Sequence, residues 1–377
     1  MPLIITIIAF IIILGGVVFV HEFGHFLAAK RNGVKVEEFV LGFPPLIFKR
    51  KVGETVYGLG LIPFGGYNRI CGMDDPNDTS ALSNPRAFES QKPSAKFWIV
   101  AGGILMNLAL AAIIFYFLAI SAGFQFWQTL IYPDYKFPLG QQQNFPMVAG
   151  VFEGSPAQAV GLGSRDVVLS ANGNSFSGSE QFIKFISENQ EKEVVLELEN
   201  SRNYEKREVK VTLGKETDEN QALGVALMDT ALLSYKTPLE KISAGFLHSF
   251  NITHFSFAMI GEIVSNSIAE KNTDLLGTSF VGPVGIYAAT KIMVDQGWFE
   301  IFNFLAIISL ALAATNILPI PAFDGGKIVF IILQMIDKKR FSLQMQAKIE
   351  QTGAIVLIGL AVVITAKDLW IFKGIIF

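Results

Sequence analysis

Cysteine is nearly absent: Cys71 is the only one in 377 residues. A lone thiol excludes an internal disulfide framework and any CxxC metal site, so Cys71 reads as a small buried hydrophobe. Charge is scarce too, at 17% of residues with a formal net of −3. Without a basic surface the chain lacks the electrostatic footprint of a nucleic-acid binder, so no nucleic-acid partner is expected. Histidine occurs four times, and two of the four fall at His21 and His25, directly after a stretch with no ionisable side chain.

Apolar residues make up 51% of the chain, which is high for a soluble protein of this size. Residues 2–20, 97–124 and 301–323 are long and apolar enough to span a bilayer, and 351–366, extended by "LWIF", is a fourth candidate. The first is not read as a cleaved signal, since it has no basic leader or A-x-A-like site. Ten lysines and arginines lie between the first two spans, from Lys30 to Lys96, and Lys338, Lys339, Arg340 and Lys348 follow the third. Residues 121–147 carry only Lys136. The positive-inside rule then puts residues 30–96 inside and 125–300 outside, with both termini outside.

Residues 148–230 change character. "MVAGVF", "DVVLSANG", "EVVLELEN" and "REVKVTL" read as strands separated by turn signals. "SPAQAV" and "SGSEQFIKFISEN" read as short helices, the second opening at a serine cap. This is an inserted α+β domain. "GSPAQAVGLGSRDVVLSANG" resembles a stretch of PDZ domains, except that Arg165 stands where those domains have a turn glycine. Residues 237–268 read as an amphipathic helix lying in the membrane interface, in contact with lipid.

On a helix, His21 and His25 are one turn apart and reach a single ion together. Glu22, beside His21, can act on water without ligating the metal. Two imidazoles and an open position suit zinc, and ionisable groups at the end of a membrane helix are costly unless they are used. The best source of a third ligand is "NILPIPAFDGGK" at 316–327, where prolines and glycines break an apolar helix around Asp324. Entering from outside, His21 lies about 20 residues, or roughly 30 Å, along its helix, and Asp324 lies a similar distance after Glu300. Both reach the cytosolic side. His248 and His254, six residues apart and on the outer side, are assigned interfacial roles.

"ETVYGLGLIPFGGY" reads as the second arm of a membrane-associated hairpin turning at residues 52–55. Its Gly58 and Gly60 alternate with Leu59 and Leu61, and glycines on one face admit another backbone closely. Either this strand edge accepts an extended substrate or it is an ordinary structural hairpin. Asn107, an amide in an apolar helix, either bonds between helices or steadies the substrate or its oxyanion.

"HEFGH", "NILPIPAFDGG", the run "LGFPPLIFKRKVGETVYGLGLIPFGGYNRICGMDD" and "VGPVGI" together resemble the site-2 protease family of intramembrane zinc proteases, in its bacterial branch that cleaves anti-sigma factors. The resemblance covers nearly the whole chain. It implies a polytopic α-helical membrane protein with about four transmembrane helices, a membrane core at 1–124 and 299–377, and one zinc per chain. By position it implies His21, His25 and Asp324 as ligands and Glu22 as base. Gly103 and Asn107 match the family's GxxxN motif, and with Asn316, Pro319 and Pro321 they would lie along the substrate path. Implied substrates are single-pass transmembrane proteins in a bacterial inner membrane, with a peptide or ectodomain bound at the PDZ-like domain outside. A transporter would need self-similar halves, which are not visible. A scaffold with structural zinc would need a fourth ligand, and none stands out.

Overall fold

The computed structural model describes residues 3–73, 84–215, 222–269, 280–337 and 340–376. In chain order the elements are α1 (Leu3–Arg31), β1 (Val36–Val52), β2 (Thr55–Ile70), α2 (Pro93–Ser121), β3 (Gln125–Leu130), β4 (Gln141–Val151), α3 (Pro156–Ala159), β5 (Asp166–Ala171), α4 (Ser179–Glu188), β6 (Glu193–Asn200), β7 (Lys206–Thr212) and β8 (Val225–Ser234). There follow α5 (Pro238–Ile242), α6 (Ala244–Ala269), α7 (Pro283–Gln296), α8 (Trp298–Ile317), α9 (Asp324–Ile336) and α10 (Leu343–Ile371). The chain divides into two compact units, Met1–Phe115 with Ile260–Phe377, and Tyr116–Met259.

Among the described residues, four helices are long and apolar enough to cross a membrane: α1, α2, α8 and α10. Their ends depart from the expected ones for local reasons. α1 runs on past the apolar stretch to Arg31, because nothing interrupts it before Gly33, whose φ of +73° closes the helix. α8 stops at Ile317 rather than near 323, where Pro319 and Pro321 remove backbone donors. α10 starts well before residue 351, where the Ser342 side chain caps it by accepting from the Met345 N–H.

In the first unit, α1 meets α2 at glycines. A Cβ on Gly24 would lie 2.2 Å from the Gly102 carbonyl oxygen, and one on Gly102 would lie 2.6 Å from that of Gly24. Small residues at such a crossing let two backbones come into contact. Ser309 of α8 donates to the Asn107 carbonyl of α2 at 2.9 Å. The buried Asp368 of α10 accepts from the backbone N–H groups of Gly282 and Gly285 at 2.8 and 3.0 Å, which holds the "VGPVGI" start of α7.

β1 and β2 turn through Gly53 and Glu54 as expected, with Val52 opposite Thr55. Their pairing overturns one expectation. Residues 38–41 pair with both 66–69 and 56–59, while 46–52 pair with 55–60. The segment order is therefore 46–52, 55–60, 36–41, 66–70, and the Gly58–Leu59 stretch is interior rather than an edge. β1 bends at Gly42 (φ +83°), and a Cβ on Gly60 would sit 2.3 Å from the Phe43 carbonyl oxygen. The glycines admit this chain's own backbone. Leu61 is exposed, between Gly60 and Ile62, which pair with Leu46 and Phe43. The base of the sheet packs on α1 through Phe39, which lies 5.1 Å from Phe26 and 5.8 Å from Phe19 between ring centroids.

The second unit holds a six-stranded sheet in the order β3-β8-β4-β5-β6-β7. Its strands extend on both sides of the expected 148–230 domain, since β3 and the first half of β4 pair with β8. Phe182, Leu196, Leu198, Val194 and Val168 fill the core beneath α4. α4 lacks its expected serine cap: the cap position is Gly178, and Asp229 of β8 accepts from the Ser179 N–H and hydroxyl at 2.6 and 2.9 Å. Arg165 keeps the left-handed turn that glycine would favour, at φ +75°. The expected amphipathic helix is two helices, α5 and α6, with Ser243 between them. His248 is buried against the Phe126 ring at 3.8 Å, and burial pushes it down to about 3. His254 meets the Tyr135 hydroxyl at 2.7 Å.

Candidate functional site

The site gathers at the C-terminal part of α1, the adjoining face of α2 and the first residue of α9. His21 and His25 share one face of α1 by helical spacing, and both imidazoles are buried. Asp324 reaches them because the chain breaks at 318–323 and restarts as α9. The restart depends on glycine, since a Cβ on Gly325 would lie 2.3 Å from the Leu318 carbonyl oxygen and one on Gly326 2.5 Å from that of Ile320.

The three candidate ligand atoms form a nearly equilateral triangle. His21 Nε2 and His25 Nε2 are 3.2 Å apart, and each is 3.3 Å from Asp324 Oδ2. A tetrahedral zinc ion with ligands at about 2.0–2.1 Å sets those ligands roughly 3.3 Å apart. Asp324 Oδ2 is buried without a hydrogen-bond partner, as an oxygen directed at a cation would be. Among the described residues this is the one His/Cys/Asp/Glu group able to hold a metal ion, and no fourth side-chain ligand joins it. The residues fit zinc with one position open.

The surroundings orient the ligands. His25 Nδ1 lies 2.9 Å from the Ile99 carbonyl oxygen, the outer hydrogen bond that leaves Nε2 free for metal. His21 Nδ1 lies 3.4 Å from the buried Asn107 amide nitrogen, while Asn107 Oδ1 has no partner. Ligation through Nε2 leaves a proton on Nδ1, which calls for an acceptor, so the amide oxygen belongs on that side. Asn107 therefore meets a ligand. Gly103 also faces the ligands, because a Cβ there would lie 2.4 Å from His25 Nε2 and 2.7 Å from His21 Cε1. Its part is to make room for the imidazoles.

Glu22 is held by a residue that sequence reasoning passed over. Asn68 of β2 donates through Nδ2 to the Glu22 carbonyl at 2.6 Å and to Glu22 Oε2 at 2.8 Å. Gly66, two residues earlier, has Glu22 Cγ and Val18 Cγ1 within 3.5 Å of where a Cβ would stand. For the other expected substrate residues the structure gives contacts within the fold. Gly58 and Gly60 meet β1, Asn316 Nδ2 bonds back to the Leu312 carbonyl at 3.0 Å, and Pro319 is exposed. Pro321 packs against Gly353 of α10.

Beyond the helix end lies a charged cluster. Arg86 makes two hydrogen bonds of 2.7 Å to the Glu54 carboxylate, and Lys30 adds one of 2.6 Å. Arg86 first and Lys30 second hold the Glu54 carboxyl down to about 2. This clamps the hairpin turn to the end of α1.

Two histidines one helical turn apart and a glutamate beside the first, on a helix long and apolar enough to cross a membrane, with a carboxylate from a distant segment, define a membrane metallohydrolase of the HExxH type. The model of peptidase family M50 matches residues 9–360, and the chain belongs to that family. A relative from Clostridium perfringens, named a candidate zinc metalloprotease, is 32% identical over 93% of this chain and 95% of its own length. The regulator of sigma-W protease RasP of Bacillus subtilis is 25% identical over 97% of this chain and 98% of its own. A zinc metalloprotease RasP of Geobacillus kaustophilus is 26% identical over 97% of each chain. A solved PDZ domain of an SdrC-like protein from Listeria monocytogenes aligns with 22% of this chain and 86% of its own at 20% identity, with a TM-score of 0.20, too low to define a shared fold. The chain is thus a zinc metalloendopeptidase of the site-2 protease type.

Proposed function

We propose that this chain hydrolyses peptide bonds within or beside the transmembrane segments of single-pass membrane proteins. The observation that supports this reading is the ligand triangle on α1 and α9, with Glu22 next in sequence to one of its corners. His21, His25 and Asp324 would hold one zinc ion. When bound, zinc acts as a Lewis acid that polarises the scissile carbonyl and acidifies water. Glu22 takes the proton from the attacking water and returns it to the leaving amide nitrogen. The Ile99 carbonyl and Asn107 keep the two imidazoles in the tautomer that faces the ion. The apolar helices α1, α2 and α8 keep bulk water from the site, so Glu22 and the metal govern which water reacts.

The orientation we propose places residues 30–96 on the cytosolic side of a bacterial inner membrane and the sheet of the second unit outside. There residues 148–230 act as a PDZ-like domain that engages a peptide or ectodomain of the substrate. The substrate class includes membrane anti-sigma factors, and α5 with α6 rests on the lipid interface through Leu239, Ile242, Phe246 and Phe250, which are exposed.

Glu22→Gln and Asp324→Asn test the assignment together. The first retains size but accepts no proton, so zinc stays near one per chain while cleavage falls by ~10²- to 10⁴-fold. The second replaces a carboxylate ligand by a neutral amide, so zinc retention falls along with cleavage. Near-normal turnover in Glu22→Gln removes Glu22 as base. Full zinc and activity in Asp324→Asn places the third ligand elsewhere.

A further inference from the structure

A general base works only from the right position, and the helix alone does not fix one for Glu22. Its backbone is set by α1, but its carboxylate swings on rotatable bonds beside the ligand His21. The contact that stops it comes from the sheet. Both hydrogens of the Asn68 amide point at Glu22, one at its carbonyl oxygen and one at Oε2, over 2.6 and 2.8 Å. Both partners accept and neither donates, so the amide has one possible orientation, with nitrogen toward Glu22 and Oδ1 away. Asn68 Oδ1 is buried without a protein partner. An amide that leaves its buried oxygen unsatisfied is penalised for it, so stability alone does not account for its presence.

Asn68 itself is fixed. It lies opposite Phe39 in the pairing of 66–70 with 36–41, and Phe39 sits in the aromatic cluster against α1. Gly66 brings this segment within reach of Glu22 Cγ. The strand, the amide and the carboxylate thus form one connected unit that ends at the base.

We propose that Asn68 is a positioning residue for the hydrolysis: it locks the Glu22 carboxylate in the rotamer used for proton transfer, and so ties the base to the β1–β2 sheet. The proposal rests on Glu22 being the base. Among the described residues the hydrogen bonds of the Asn68 amide go to Glu22 and not to His21, His25 or Asp324, so its removal leaves the metal in place and acts on the chemical step.

The test uses the full-length protein in liposomes with a single-pass substrate. Asn68→Leu keeps the branched shape of the side chain and removes the donor. Its kcat should fall roughly 10- to 100-fold, the scale of a misplaced catalytic group, with KM within about twofold and zinc still one per chain. Asn68→Asp keeps the shape but faces the Glu22 carboxylate with a second carboxylate, so its kcat should fall at least as far; it also decides the matter if the leucine variant misfolds. In a Glu22→Asp background the shortened carboxylate no longer reaches Asn68, so adding Asn68→Leu should cost less than threefold more. Unchanged kcat in both single variants, a loss confined to zinc content or KM, or full additivity with Glu22→Asp would each overturn the proposal. If Glu22→Gln itself cleaves normally, the base assignment fails first, and that result is separate from these.

Discussion

Gly103 offers a test of the metal centre that changes no ligand. In Gly103→Ala the new methyl carbon would begin 2.4 Å from His25 Nε2, 2.7 Å from His21 Cε1 and 2.8 Å from His21 Nδ1. Ordinary contact begins near 3.4 Å, so the His25 ring must withdraw by about 1 Å or α2 must move away. Zinc sites tolerate about 0.2 Å in ligand distance, and a 1 Å retreat takes His25 out of the 3.2–3.3 Å triangle. Disturbing even an outer contact of a metal site typically costs 10- to 100-fold in affinity, or roughly 1.4–2.8 kcal/mol. Zinc per chain measured against a graded chelator should therefore fall by at least tenfold in affinity, with cleavage following it. Gly16→Ala is the control, because a Cβ there meets nothing within 4 Å. Wild-type zinc affinity in Gly103→Ala, in protein of unchanged helix content, would refute the placement of the imidazoles against α2.

The Glu54 cluster gives a pH-dependent outcome. Its carboxyl lies at about 2, below its ordinary value, so its stabilising contribution is present above the usual carboxylate range and is lost as pH falls toward 2. Thermal melts of wild type and Glu54→Gln should differ modestly at pH 7, since the side chain is partly exposed, and should converge only as pH approaches about 2; a constant gap would deny the ion pairs their role. The proposed orientation is checked in a Cys71→Ser background: Ser177→Cys should react with an impermeant thiol reagent in intact cells and Ser90→Cys should not. The reverse pattern would invert the membrane placement and the depth argument with it.

Much of the site was legible because its chemistry forces rare residues into recognisable spacing. His21, Glu22 and His25 are ionisable groups at the end of an apolar helix, where each must have a use. Asp324 stood out because Pro319, Pro321, Gly325 and Gly326 interrupt an apolar run around it, and those residues make the backbone turn that delivers it. Partners set by tertiary pairing were not legible. Asn68 is one polar residue in an alternating strand, and only the register of 66–70 against 36–41 reveals that it faces Glu22. The same register moved Gly58 and Gly60 from a supposed open edge to the inside of the sheet. Asp229 caps α4 from fifty residues away, and no local pattern records that. Two-residue periodicity identifies a strand without saying which neighbour covers it.

The central claim is that one zinc ion held by His21, His25 and Asp324 cuts a peptide bond at membrane depth. The most direct measurement reconstitutes the purified chain in liposomes with a single-pass substrate, titrates zinc back into chelator-stripped protein, and maps the product ends by mass spectrometry. Cleavage should rise with zinc, saturate at one ion per chain and yield new termini within or beside the substrate's apolar segment. Cleavage that persists at zero zinc, or product ends confined to soluble loops far from the membrane, would contradict it.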